Sequence, residues 1–459
     1  MKRNWMTILM ALVLAGLVGY LYFVEFPAEQ AKTKQDTQQK RLLPIEQREI
    51  TGLSVRSQGE DIVLAPGESG TWKILAPIQT EADSREIDAL VRALVLGKVS
   101  RVVEDQPTTL APFGLETPTL VLTITAGEHE ETLSIGDSGP ISSTLYVMRA
   151  KDKKVLLTDL AAKDFFNKRL FTFRRKELLR FDQTRAERLR LLYPKTEIVL
   201  YRTDQVDRTK RNKWMIRAPI EAPADATAVR MLLTKLEDMK ALGFIDPGPE
   251  REAVARILKE PNAKLTVYAA GAEHQVKFFQ PNPASGEAYA VTASDAPIYR
   301  VSPSVIKELS KDLFALQDKR LLGVELDEIA MLAVKTREEQ YTLINQTGAW
   351  VLESRPDDKL DQQKADLFVS RVVTLPAELL VIKKGGPLAP YGLSSPSAEF
   401  SVTGKDGKTR GRLVLGSRSG GLVYAMGQGL PGIYQARADI LSQVPAARDL
   451  PAKGEPGGN

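Results

Sequence analysis

Apolar and polar positions along this chain change period several times, in the same order each time. Around Trp72 the run GTWKILAP alternates apolar and polar residues, and NKWMIRAP at Trp214 and GAWVLESRP at Trp350 follow the same rhythm. A period of two is that of a half-buried strand. Each run leads into a stretch whose apolar positions recur three and four apart: DSREIDALVRALVL, DATAVRMLLTKLEDM and DQQKADLFVSRVVTL. That is the stripe of an amphipathic helix. Alternation then returns in LVLTITAGEHEETLSIG and AEFSVTGKDGKTRGRLVLG, which read as pairs of strands joined at a turn.

Aligned on the tryptophans, other residues fall into register. Asp83, Asp225 and Asp361 each lie eleven positions on, where each opens its helical pattern. An aspartate there predicts an N-cap, accepting the orphan amide bonds of the first turn. Gly114 and Gly392 stand 42 positions after Trp72 and Trp350, within Phe113-Gly114-Leu115 and Tyr391-Gly392-Leu393. Pro118, Pro261 and Pro396 follow at 46, 47 and 46 positions, and Tyr146, Tyr289 and Tyr424 at 74, 75 and 74. The glycines predict a positive-φ turn before a strand; the middle copy has Arg256-Ile257-Leu258 instead, so the turn reads as geometry and not as chemistry. The tryptophans are 142 and 136 residues apart, too far for a solenoid repeat and right for tandem domains. The expected fold is α+β: repeat module 1 over 47–182, module 2 over 183–325 and module 3 over 326–450. Each is a mostly antiparallel sheet with one long amphipathic helix and a short C-terminal helix.

GQGLPG, within YAMGQGLPGIY at 424–434, fits the G-x-G-x-x-G pattern of dinucleotide sites. Its slot is filled in the other copies by YVMRAKDKKVL and YAVTASDAPIY, which makes it the turn of a hairpin with no phosphate-facing helix after it.

The N-terminus carries Lys2 and Arg3 and then an uncharged apolar run from Asn4 to Val24. At 1.5 Å per residue such a run spans roughly one hydrocarbon core. Trp5, Tyr20 and Tyr22 stand where interfacial aromatics belong, and EFPAEQA beyond offers no small-x-small cleavage site. Residues 1–26 are therefore expected to be an uncleaved transmembrane anchor with a cytoplasmic N-terminus. Polar 27–46 reads as a flexible stalk and 451–459 as a disordered tail. This places the bulk of the chain outside the cytoplasm, in the periplasm of a bacterial inner-membrane protein.

The chain has no cysteine and only His129 and His274. Disulfides, thiolate metal sites and cysteine nucleophiles are excluded, and the histidines fall on corresponding hairpins of different copies. No catalytic residue, metal ligand or cofactor site is expected. The net charge of +5 is mild, but residues 167–192 concentrate cations, among them Arg169, Arg174, Arg175, Lys176, Arg180, Arg188 and Arg190, interleaved with phenylalanines. The first five are the candidate surface for a partner or an anionic ligand. The bland reading is a junction between modules with its aromatics packed and its cations solvated; export argues against nucleic acid.

The W-x-(I/L)…P openings, the (F/Y)-G-L-x-x-P turns at 113–118 and 391–396, Ile135-Gly136 and Leu415-Gly416, the tyrosine strands and the anchor together resemble the domain-of-unknown-function family 4340. The resemblance covers nearly all of 47–450, and it implies an envelope protein accessory to an ABC-2 type (Gld-like) transporter, with a permease and ATPase as partners. It brings no site residues. The expected function is a non-catalytic, membrane-anchored extracytoplasmic scaffold. The alternatives are a binding module for anionic envelope polymers or lipid, and a cell-envelope hydrolase.

Overall fold

The computed structural model describes residues 40–452 apart from 142, 161, 204–213, 294–295 and 383–384. The expected anchor and the first part of the stalk lie outside the described residues, and among those described no helix is long and apolar enough to cross a membrane.

Three antiparallel sheets of nine, nine and eight strands dominate the chain. In the first, β1 (Gly52–Ser57), β2 (Glu60–Pro66), β3 (Trp72–Ala76) and β4 (Thr80–Glu81) meander outward on one side. On the other side β6 (Leu120–Ala126), β7 (His129–Ser138), β8 (Leu145–Arg149) and β9 (Val155–Thr158) do the same, and β5 (Val99–Glu104) closes the far edge. The order is β4-β3-β2-β1-β6-β7-β8-β9-β5. Helix α1 (Ser84–Leu96) carries the chain from one edge to the other. Its stripe Ile87, Leu90, Val91, Leu94 and Val95 is buried in one core cluster with inward residues of the sheet such as Leu53, Val55, Leu122 and Ile135. The alternation read from the sequence appears directly in β6, buried at every second residue. The same strand order recurs in the second and third sheets, the third lacking only the two-residue strand after the tryptophan strand. Their helices are α2 (Ala226–Glu237) and α3 (Gln362–Val373).

All three aspartates cap. Asp83 accepts from the amide of Glu86, Asp225 from Thr227 and Ala228, and Asp361 from Lys364. Their own amides serve a second purpose that spacing did not reveal: they donate to the carbonyls of Phe173 (2.7 Å), Leu316 (2.8 Å) and Leu450 (2.9 Å). Each copy's last segment therefore returns to the start of its own helix. The segment entering each copy pairs with the chain leaving that helix, through Leu42 to Gly97, Leu178 to Met239 and Leu321 to Leu375.

That pairing corrects the expected stalk. Leu42 and Leu43 are fully buried in the first core, so the end of the expected stalk packs on the first sheet's core; a polar composition average over 27–46 hid two leucines with a core to fill. At the other end Pro451 bridges Leu360 and the Ala452 amide donates to Lys359, while 453–459 lie outside the described residues. By contact the chain divides into two compact units, one running to Glu177 with Lys240–Ile245, the other comprising Leu178–Met239 and everything from Asp246 on.

Candidate functional site

The glycine-rich stretch is a hairpin. Leu422–Gly427 pairs with Leu430–Arg437, with Gly427 opposite Leu430 and Gln428-Gly429 as the turn. The glycines make room for backbone: a side chain on Gly427 would collide with the carbonyl of Leu321, and one on Gly429 with the chain at 320–323. The Gly429 amide donates to that same carbonyl at 2.9 Å. What mimics a phosphate cradle thus receives the peptide that enters the third sheet. Arg320, at the start of that peptide, donates to Asp318 at 2.7 Å and Glu325 at 3.1 Å. The hydrogen bonds it donates to Asp318 and then Glu325 hold its guanidinium further above its ordinary range.

The two family-like signatures touch each other. Gly114 and Gly392 adopt φ of +65° and +69° as left-handed caps of short helical turns. A side chain on Gly136 or Gly416 would strike the carbonyl of Phe113 or Tyr391. Tyr146 then packs edge-on against Phe113 at 5.0 Å, and Tyr424 against Tyr391 at 4.9 Å. The middle copy replaces both halves of the contact, with a helix at Pro249–Ile257 that runs into the turn position and Phe279 where the others have glycine. There Tyr289 is buried, with the Arg300 guanidinium 5.9 Å from its ring.

Trp72, Trp214 and Trp350 are all buried at the ends of their sheets. The indole N–H of Trp72 donates to Asp88 at 3.0 Å, and that of Trp350 to Asp366 at 2.9 Å. Both aspartates stand sixteen positions after their tryptophan, a repeat in the sequence that marks them; the middle copy has Arg230 there. Asp366→Ala removes the acceptor of a buried donor and is expected to cost about 1–2 kcal/mol, measured by urea unfolding, with Asp366→Asn restoring most of the loss.

The candidate cationic surface is largely committed internally. Arg169 pairs with Glu60, Arg175 with Glu81, and Lys176 lies 3.9 Å from Asp83 while donating to the carbonyls of Thr172 and Arg174. Arg174 is 4% exposed, its guanidinium 3.7 Å from the Phe244 ring. Of the five, Arg180 is exposed and has no ion pair among the described residues. Phe166 and Phe173 are fully buried. His129 and His274 lie on separate sheets, the latter 5.8 Å from the Phe181 ring. Among the described residues no group of acidic and imidazole side chains could hold a metal ion. The outward face of α1, at Arg85, Asp88, Arg92 and Leu96, forms a shallow open depression. The Asp182 carboxyl is held below the usual range by the Thr184 hydroxyl and amide, and that of Glu399 by Arg412, opposite to what a general acid needs.

The family model described as a domain of unknown function (DUF4340) matches the chain twice, over residues 72–213 and 214–396. The matches begin at Trp72 and Trp214. No curated protein matches the chain. Among solved structures, the DnaN sliding clamp (DNA polymerase III subunit beta) from Pseudomonas aeruginosa bound to griselimycin aligns with 87% of this chain and 93% of its own at 8% identity. The TM-score of 0.12 is too low for that likeness to bear on fold or function.

Proposed function

We propose, from the premise that the chain belongs to the DUF4340 family, that it is a non-catalytic scaffold held at the bacterial inner membrane by residues 1–26, presenting its sheets outside the cytoplasm as an accessory to an ABC-type transporter. One observation carries this reading. The recurring polar residues of the repeat are used for construction: the aspartates cap helices, Asp88 and Asp366 hold indoles, and the recurrent glycines admit backbone. A scaffold needs a shape repeated at intervals; an enzyme needs one place where polar groups are left over. The apolar run at Asn4–Val24, flanked by Lys2 and Arg3, supports the anchoring.

The test is capture of the tagged full-length protein from its native membrane in mild detergent, with and without crosslinker, read by mass spectrometry. The expected result is stoichiometric recovery of a permease and an ATPase. Recovery of the protein alone would sink the transporter assignment.

A further inference from the structure

The solvent face of the second sheet carries a lysine pair at a position where the other two sheets have none. Directly paired residues of antiparallel strands share a face, so the register shows which side chains meet. Tyr201, Arg188, Tyr268 and Glu273 form one row across four strands, and Glu197, Leu192, Lys264 and Lys277 another. The opposite face holds the fully buried Leu189, Leu191, Leu265 and Val267, so these rows point to solvent. Arg188 and Arg190 are exposed. The Arg188 guanidinium lies 3.7 Å from the centre of the Tyr268 ring, and Arg190 donates to Glu197 at 2.5 Å.

Lys264 stands directly opposite Lys277, and neither has an ion pair among the described residues. Like charges facing each other across strands oppose folding. The other copies avoid the arrangement. The matching pair is Val121 opposite Ser134 in the first sheet and Glu399 opposite Val414 in the third. On those faces Arg56 pairs with Asp61, and Arg412 with Glu399. The unanswered lysines thus belong to the one copy that also lost the glycine turn and its partner glycine.

We propose that this face binds a linear anionic glycan. Steps of about 7 Å along a strand and about 4.8 Å between strands set Arg188, Lys264 and Lys277 out as an oblique cationic track beside the paired Arg190 and Glu197. A chain carrying a negative charge at regular intervals can follow such a track. Tyr201 and the stacked Arg188–Tyr268 pair supply flat surfaces for sugar rings. These strands are bonded on both sides, so a peptide cannot add to them as a further strand. Leu192, 37% exposed in the row of Lys264 and Lys277, is a single apolar side chain, and Thr266 between the rows is 2% exposed, less than the broad apolar face that seats a helix in a bilayer. The inference stands apart from the transporter assignment.

The experiment uses the full-length protein in detergent with four probes: polygalacturonate, a linear polyuronate; dextran, a neutral glycan; polyglutamate; and vesicles containing phosphatidylglycerol. Polygalacturonate is expected to bind and to be released by salt, and dextran to stay free. Lys264→Glu puts opposite charges across from each other, so it is expected to raise the melting temperature while weakening polygalacturonate binding several-fold. Arg188→Gln weakens binding independently, should the first variant fail to fold. Equal binding of dextran, or polygalacturonate binding unchanged in folded Lys264→Glu, overturns the proposal. Binding of polyglutamate or vesicles in place of the polyuronate overturns it as well, and assigns the face to an acidic protein or to lipid.

Discussion

Gly427→Ala is expected to destabilise the second compact unit by about 1–3 kcal/mol, the range of an overpacked core position. The added methyl must occupy the position of the Leu321 carbonyl oxygen. Backbone on both sides leaves no flexible side-chain end to yield. Relief requires the entering peptide at 320–323 to lift from the hairpin, which strains the bond from the Gly429 amide to Leu321 (2.9 Å) and the anchoring of Arg320 beside it. Urea unfolding should show a lower midpoint at unchanged slope. Gln428→Ala, at the exposed tip of the same turn, is the control and should fall within about 0.5 kcal/mol of the parent. If the two variants behaved alike, the glycine would owe its place to something other than this close approach.

Phe173→Ala is expected to cost the first unit about 3–5 kcal/mol, as truncating a fully buried phenylalanine does. Phe173 is 0% exposed within the first core cluster, and its carbonyl receives the amide of Asp83. A cavity there therefore loosens the closure of the module as well as its packing. Arg169→Ala tests the other side of the same segment. Its ion pair with Glu60 is solvent-exposed, and pairs of that kind contribute about 0–1 kcal/mol. Thermal melts of the two variants decide between a segment packed in the first core and a binding surface at 167–176. Loss of partner capture in Phe173→Ala at unchanged stability would reject the packed reading.

Some of this architecture is local chemistry, and local chemistry can be read along a chain. Asp83, Asp225 and Asp361 cap because an aspartate before an apolar stripe meets the free amides of its own first turn. Gly114 and Gly392 turn because few other residues accept positive φ. The hairpin at 427–430 follows from its slot in the repeat. Asp88 and Asp366 went unread although their spacing from tryptophan recurs. Their partners lie on a strand, and the helical position that meets an indole is set only when the helix lies on the sheet.

The threefold register, the helix starts and the alternation that divides each sheet into a core face and a solvent face are all written along the chain. These are periods of two and 3.6 and preferences of single residues, and they act within a few positions. Tertiary structure decided which charges are spent and which remain. Arg169, Arg175 and Lys176 read as a surface along the chain but are answered by Glu60, Glu81 and Asp83, from roughly a hundred residues earlier. Lys264 and Lys277 are inconspicuous in the sequence and become neighbours only through strand pairing. Charge is a property of a residue, whereas neutralisation depends on distances that the fold alone sets.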